Sequence, residues 1–274
     1  MSQSQANVSV TPVHPHIGAQ ISGVDISRPL DDATFSQLRD AFNRYSVLVF
    51  RNQPITDEQQ VRFSQRFGAL EKNSFALATQ NDYIYHISNI DNRGRVLAMD
   101  AEKRTFLRVN SRWHTDSSFK TIPAMASILS GREIPQHERA DTEFASMRVG
   151  YQTLPPARRD KLKGLIAMHH YAYSLRITGD ANLPQEELDA LPAVEQPLLR
   201  VHPGSGDPSL FVSGHIESIK GMPTLEGRRL AEELVAWCTR PDYVYAHEWQ
   251  TDAVVMWYTH CALPPARDLP LTDA

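Results

Sequence analysis

From Asp32 to Tyr45 the apolar residues Phe35, Leu38, Phe42 and Tyr45 recur at three- and four-residue intervals, the period of one helix face. The unbroken apolar run Val47-Leu48-Val49-Phe50 follows directly and is too short for a helix, so it predicts a buried strand. Thr56-Asp57-Glu58-Gln59 is a capping box, opening a helix that runs to Phe67 and stops at Gly68. Pro155-Pro156 introduces a helix over Ala157–Tyr171, and Leu230, Leu234 and Trp237 mark one face of a helix over Thr224–Arg240. Short β-rich runs lie at Met125–Leu129, Ser209–Ser213, Tyr243–Trp249 and Ala253–Tyr258. In the third, Tyr243, Tyr245, His247 and Trp249 share one side at period two. The second half therefore reads as antiparallel β with inserted helices. Without regularly interleaved helices, a barrel or sandwich is favoured over a Rossmann-type sheet.

Composition narrows the class. The chain has 274 residues, 41% hydrophobic and 22% charged, which excludes disorder, collagen and coiled coil. No repeat or low-complexity linker divides it, so a single domain over residues 1–274 is expected, with residues 1–11 a flexible polar tail. Cys238 and Cys261 are too few for a disulfide framework and lack Cys-x-x-Cys spacing, and the N-terminus has no signal-peptide pattern. A cytoplasmic protein is expected. No apolar run approaches the roughly 20 residues of a membrane span. A net charge of −4 gives no footprint for nucleic acid or anionic lipid, leaving small molecules and copies of itself as partners.

The chemistry-bearing candidates are His-x-acid pairs. In Trp113-His114-Thr115-Asp116, residues i and i+2 of an extended segment point to one side, so His114 and Asp116 can grip one ion. With a distant second histidine such a pair becomes a 2-His-1-carboxylate triad, which leaves open metal positions and suits nonheme Fe(II). Roughly one such pair is expected by chance in a chain of this composition, and His215-Ile216-Glu217 has the same geometry. No Gly-x-Ser-x-Gly elbow or Walker loop is present, and Gly204-Ser205-Gly206 lacks the remainder of a dinucleotide fingerprint.

Beyond spacing, Trp113-His114-Thr115-Asp116-Ser117-Ser118-Phe119 followed by Asp141-Thr142-Glu143-Phe144 closely resembles the taurine dioxygenase family of Fe(II)/2-oxoglutarate enzymes, in particular its 2,4-dichlorophenoxyacetate branch. The likeness extends through Ser46–Arg51 with Gln53-Pro54, Arg66-Phe67-Gly68, His202–Gly206 and Glu226-Gly227-Arg228. It implies a mainly β fold with flanking helices, a double-stranded β-helix or jelly roll with iron at its mouth. It further implies that His114 and Asp116 bind Fe(II), that Thr142 hydrogen-bonds a carboxylate of the co-substrate 2-oxoglutarate, and that Trp257 stands beside it. O2 is the oxidant, a small carboxylate the substrate, and a homo-oligomer the assembly that relatives suggest. Asn110 and Ser118, flanking the ligand pair, are candidate substrate contacts, and His215-x-Glu217 becomes a pocket-lining element.

The resemblance also breaks. Where the family continues Asp-Asn-Arg-Cys, two residues and the second iron-binding histidine, this chain reads Tyr258-Thr259-His260-Cys261-Ala262-Leu263-Pro264. Pro264 stands in the ligand position. His260, four residues earlier, is the substitute donor, although four strand residues span about 13 Å and a local rearrangement is needed. The family's arginine for the distal carboxylate of 2-oxoglutarate would fall just past Ala274, so a truncated C-terminal strand is expected, with Arg267 the one arginine after Trp257. Gln136-His137-Glu138-Arg139-Ala140 replaces a shorter glycine turn. Three functions remain: a dioxygenase for an aryloxyalkanoate, one for a sulfonate or other small acid, or an inactive relative lacking two anchoring groups.

Overall fold

Asp31 starts the first helix by accepting a hydrogen bond from the Thr34 backbone N–H, and Ser46 ends it in the left-handed region at φ 61°. That reversal delivers the chain directly into the next strand. In this computed structural model residues 8–72, 82–87, 109–134, 141–178, 186 and 191–265 are described. In chain order the elements begin with β1 (Ser9–Pro12), β2 (Ala19–Ser22), α1 (Asp32–Tyr45), β3 (Val47–Phe50) and α2 (Asp57–Gln65). Next come β4 (Ala126–Gly131), β5 (Thr142–Ser146), α3 (Met147–Thr153), α4 (Pro156–Leu162), β6 (Ile166–His169) and α5 (Tyr171–Ile177). The series ends with β7 (Val194–Pro197), β8 (Leu199–Val201), β9 (Pro208–Leu210), β10 (Ile216–Ile219), α6 (Thr224–Cys238), β11 (Val244–His247), β12 (Ala253–Tyr258) and β13 (Ala262–Leu263).

A five-stranded sheet has the order β1-β2-β3-β12-β4, and a three-stranded sheet the order β11-β5-β13. Period-two alternation splits β3 and β12 between two cores. Leu48, Phe50, Val254, Met256 and Tyr258 face outward under α1 and α2, where Leu38, Phe42 and Phe63 cover them. Val47, Val49, Val255 and Trp257 face inward against Phe144 and Ala262 of the smaller sheet. A third core lies under α6, which packs on β10 and α3 and gathers Leu234 and Cys238 into one cluster with Met147, Ile216 and Ile219. The result is mainly β with flanking helices, arranged as a double-stranded β-helix whose interior lies between these inward faces. No helix among the described residues is long and apolar enough to cross a membrane.

The capping box at Thr56 forms as the sequence predicts. Two expectations need correction. The single helix over Ala157–Tyr171 is instead α4, strand β6 and the start of α5, because Gly164 takes φ 75° and turns the chain out of the helix. Ser9–Thr11 belong to β1 rather than to a tail, since the strand pairs with β2 through Ser9↔Ser22 and Thr11↔Gln20. Segment 136–140, Arg267 and the residues of the expected truncation lie outside the described residues.

Candidate active site

The segment carrying the histidine and carboxylate pair is sewn to its neighbours by alternate residues. The backbone N–H of His114 donates to Pro264 O at 2.9 Å. Thr115, pointing the other way, is fully buried and bonds Ser213 Oγ through its N–H and Val212 O through its hydroxyl. Fixing Thr115 fixes the opposite face, where His114 Nε2 and Asp116 Oδ1 approach to 3.2 Å. His114 Nδ1 lies 2.8 Å from Arg112 O and must carry its proton toward that carbonyl. Nε2 is thereby left as the metal-facing nitrogen, oriented by its second bond. Asp116 divides its oxygens: Oδ2 accepts from Ser127 Oγ at 2.6 Å and Trp257 Nε1 at 2.9 Å, which leaves Oδ1 for whatever His114 also meets.

Burial presses the His114 imidazole toward neutrality, yet the hydrogen bond and charge of Asp116, with the Arg112 and Asn110 carbonyls, outweigh it and raise its pKa. Burial likewise pushes Asp116 up, and is outweighed by His114, Ser127 and Trp257, which hold the carboxyl below its ordinary value. A carboxylate kept ionised beside an imidazole nitrogen is the donor chemistry of a divalent-metal site.

Trp257, expected beside the co-substrate, joins the pair through Asp116 and packs on Phe144 at 5.4 Å between ring centroids. Thr142 lies on the facing sheet, where its hydroxyl accepts from Trp249 Nε1 at 3.0 Å. His215, from the rival pair, stands beside His114 with ring centroids 6.1 Å apart, while its Nδ1 meets Ser174 Oγ at 2.6 Å. Its partner Glu217 turns instead to His170 at 2.6 Å. Phe119 and Tyr171 flank His215, forming an aromatic wall next to the pair. Ser118 is fully buried and its hydroxyl has no hydrogen-bond partner among the described residues, whereas Asn110 reaches His114 through its backbone carbonyl.

His260 does not join His114 and Asp116: among the described residues no third His, Cys, Asp or Glu completes a metal-holding group. The reason is the turn after β12. It aims the His260 ring at Arg200, with Nδ1 3.3 Å from the guanidinium, and edge-on to Phe211. Burial and the Arg200 charge push that imidazole down to about 3. Pro264 is the residue that lies alongside His114, and it offers no donor side chain.

Sequence reasoning overlooked Ser127 and Trp249. Their roles follow from strand register, which pairs Ser127 with Trp257 and sets His247, two residues before Trp249, opposite Thr142. The period-two face through Tyr245, His247 and Trp249 was the available signal.

The sequence matches the family described as taurine catabolism dioxygenase TauD, TfdA family over residues 9–263. The chain belongs to that family. It is 34% identical over 267 residues to the alpha-ketoglutarate-dependent 2,4-dichlorophenoxyacetate dioxygenase of Cupriavidus pinatubonensis, covering 95% of this chain and 92% of that one. It is 32% identical to the (S)-phenoxypropionate/alpha-ketoglutarate-dioxygenase of Delftia acidovorans, covering 94% and 89%. The crystal structure of AAD-2 in complex with Mn(II) and N-oxalylglycine matches with a TM-score of 0.88 at 33% identity, covering 97% of this chain and 93% of that one. As a TauD/TfdA member the chain is of the 2-oxoglutarate-dependent dioxygenase class, which uses Fe(II) and 2-oxoglutarate. His114 and Asp116 fit two protein positions of such a metal site, and the third is filled by no described donor.

Proposed function

We propose that this TauD/TfdA protein hydroxylates the carbon next to the ether oxygen of an aryloxyalkanoate such as 2,4-dichlorophenoxyacetate. The hydroxylated product is a hemiacetal that collapses to a phenol and glyoxylate, with succinate and CO2 formed from 2-oxoglutarate. The observation that carries the reading is the His114–Asp116 pair, its spare carboxylate oxygen pinned by Ser127 and Trp257, in a chain 34% identical over nearly its full length to a 2,4-dichlorophenoxyacetate dioxygenase.

His114 Nε2 and Asp116 Oδ1 would hold Fe(II), and the interior between Trp257 and Thr142 would receive 2-oxoglutarate. Bound together, these two groups supply the coupling of 2-oxoglutarate decarboxylation to oxygenation of a substrate C–H bond. The chain's own residues orient and exclude. Arg112 O keeps the His114 proton on Nδ1, Trp257 walls the interior, and Phe119, Tyr171 and His215 offer an aromatic surface on which an aryl ring packs.

The test is incubation of the purified full chain with Fe(II), 2-oxoglutarate, O2 and 2,4-dichlorophenoxyacetate, following phenol and succinate. Equimolar phenol and succinate, both lost in His114→Ala, is the expected result. Succinate released with sulfonates or sulfate esters but not with aryloxyacetates moves the substrate within the class. No succinate with any of these acids overturns the assignment of activity to this chain.

A further inference from the structure

The far end of the barrel interior sets three further polar side chains, those of Tyr245, His247 and Trp249, around Thr142. β11 and β5 pair with His247 opposite Thr142 and Tyr245 opposite Phe144, and directly opposed residues of an antiparallel pair carry their side chains on the same face. That face is the inner one, since Phe144 packs on Trp257, which donates to Asp116. Depth follows from register. β13 pairs Leu263 with Ala145, and the next residue, Pro264, is bonded to His114, so the metal-binding pair is level with Phe144. Thr142 and His247 lie two residues further along, about 7 Å. This distance is comparable with the length of an extended five-carbon dicarboxylate.

The donors at that depth are prepared. Trp249 Nε1 occupies one lone pair of the Thr142 hydroxyl at 3.0 Å, which leaves the hydroxyl proton to donate. Tyr245 OH lies 3.2 Å from His247 Nδ1; with the phenol donating, the imidazole proton sits on Nε2. His247 is fully buried, and its Nε2 has no hydrogen-bond partner among the described residues. Buried donors in native proteins are nearly always satisfied, so an orphan of this kind marks a place for an acceptor. The charge of Arg51, whose guanidinium bonds Glu248 O, acts on both Tyr245 and His247 and favours an anionic one.

We propose that His247 is a co-substrate-binding residue: its Nε2–H, beside the Thr142 hydroxyl, donates to the distal carboxylate of 2-oxoglutarate. The inference rests on the reading that 2-oxoglutarate lies between the metal-binding pair and Thr142, and it adds a residue to that site. His247 then shares the task of recognising the end of the co-substrate that takes no part in metal binding.

The experiment is calorimetric titration of the Mn(II)-loaded full chain with 2-oxoglutarate and, separately, with 2-oxopentanoate, which has the same carbon chain but no distal carboxylate. His247→Leu is expected to weaken 2-oxoglutarate binding roughly tenfold or more and to leave 2-oxopentanoate unchanged. His247→Gln, which keeps an N–H donor, recovers part of the loss. Equal binding of 2-oxoglutarate by His247→Leu and wild type, or equal weakening of both keto acids, overturns the inference. If His247→Leu does not fold, Tyr245→Phe decides: removing the hydroxyl that fixes the tautomer weakens 2-oxoglutarate selectively, and an indifferent result overturns the inference. Failure of the wild type to bind either keto acid overturns the underlying reading and the inference with it, an outcome distinct from an indifferent variant in a competent wild type.

Discussion

Asp116 uses its two oxygens for different purposes, and the difference is testable one residue at a time. Ser127 and Trp257 both hold Oδ2, so Ser127→Ala and Trp257→Phe each remove one of the two bonds that orient the carboxylate. Each is expected to weaken Mn(II) binding by roughly 10- to 100-fold, the usual effect of losing a residue that orients a ligand, measured by metal titration. Pro264→His runs the other way. Residue 264 is buried and hydrogen-bonded to the His114 backbone, so an imidazole there stands next to the pair and is expected to tighten Mn(II) binding. Binding unchanged by that substitution would show that position 264 does not reach the ion. The His114–Asp116 pair was legible in the sequence because period two alone puts both side chains on one face. Ser127 and Trp249 were not, because their partners are more than ten and more than one hundred positions away, and only strand register brings them together.

At the scale of elements, close approach is decided by the smallest residue. A Cβ at Gly227 would lie 2.6 Å from the backbone nitrogen of Ile219, so α6 can rest on β10 only where no side chain intervenes. Gly227→Ala is expected to destabilise the fold by about 1–3 kcal/mol, read as a lower Tm. Arg148 joins elements that share no sheet. Its guanidinium bonds Asn43 O and Ser46 Oγ at the end of α1, and Ser205 and Asp207 in the turn between β8 and β9. Arg148→Met removes the donor that Asn43 O, Ser46 Oγ and Asp207 share and is expected to cost about 2–4 kcal/mol in chemical denaturation. Helix α1 was legible because spacing, cap and the following apolar run agree on its limits. The region from Ala157 to Tyr171 misled because its apolar residues suit either period, and the left-handed backbone at Gly164, which settles the matter, leaves no mark on periodicity.

Across the whole molecule, buried imidazoles set the response to acid. Burial drives His169, His247 and His260 down to about 3, with Arg200 adding to the effect at His169 and His260 and Arg51 at His247. Unfolded, the same side chains titrate near 6.5. Between those values the unfolded chain binds more protons, so stability is fully present above pH 6.5 and is lost as pH falls toward 3. His114, whose pKa is raised, opposes the trend with one group. Tm is therefore expected to fall steadily on acidification below pH 6.5, and His169→Phe, which removes one of the three while keeping an aromatic ring against Phe211, is expected to flatten the profile.

The five-stranded sheet has a further consequence, in time rather than in space. Its interior strand β12 lies between β3 and β4, pairing Trp257 with Val47 on one side and with Ser127 on the other. Those partners leave the ribosome long before residues 253–258 do. Until then β3 and β4 each expose a hydrogen-bonding edge and half a core, which is the condition that recruits chaperones and invites aggregation. The sheet cannot close until residues 253–258 have been made, so β3 and β4 wait for their shared partner, and a ribosome stalled before Ala253 would hold a chain that cannot build its own centre.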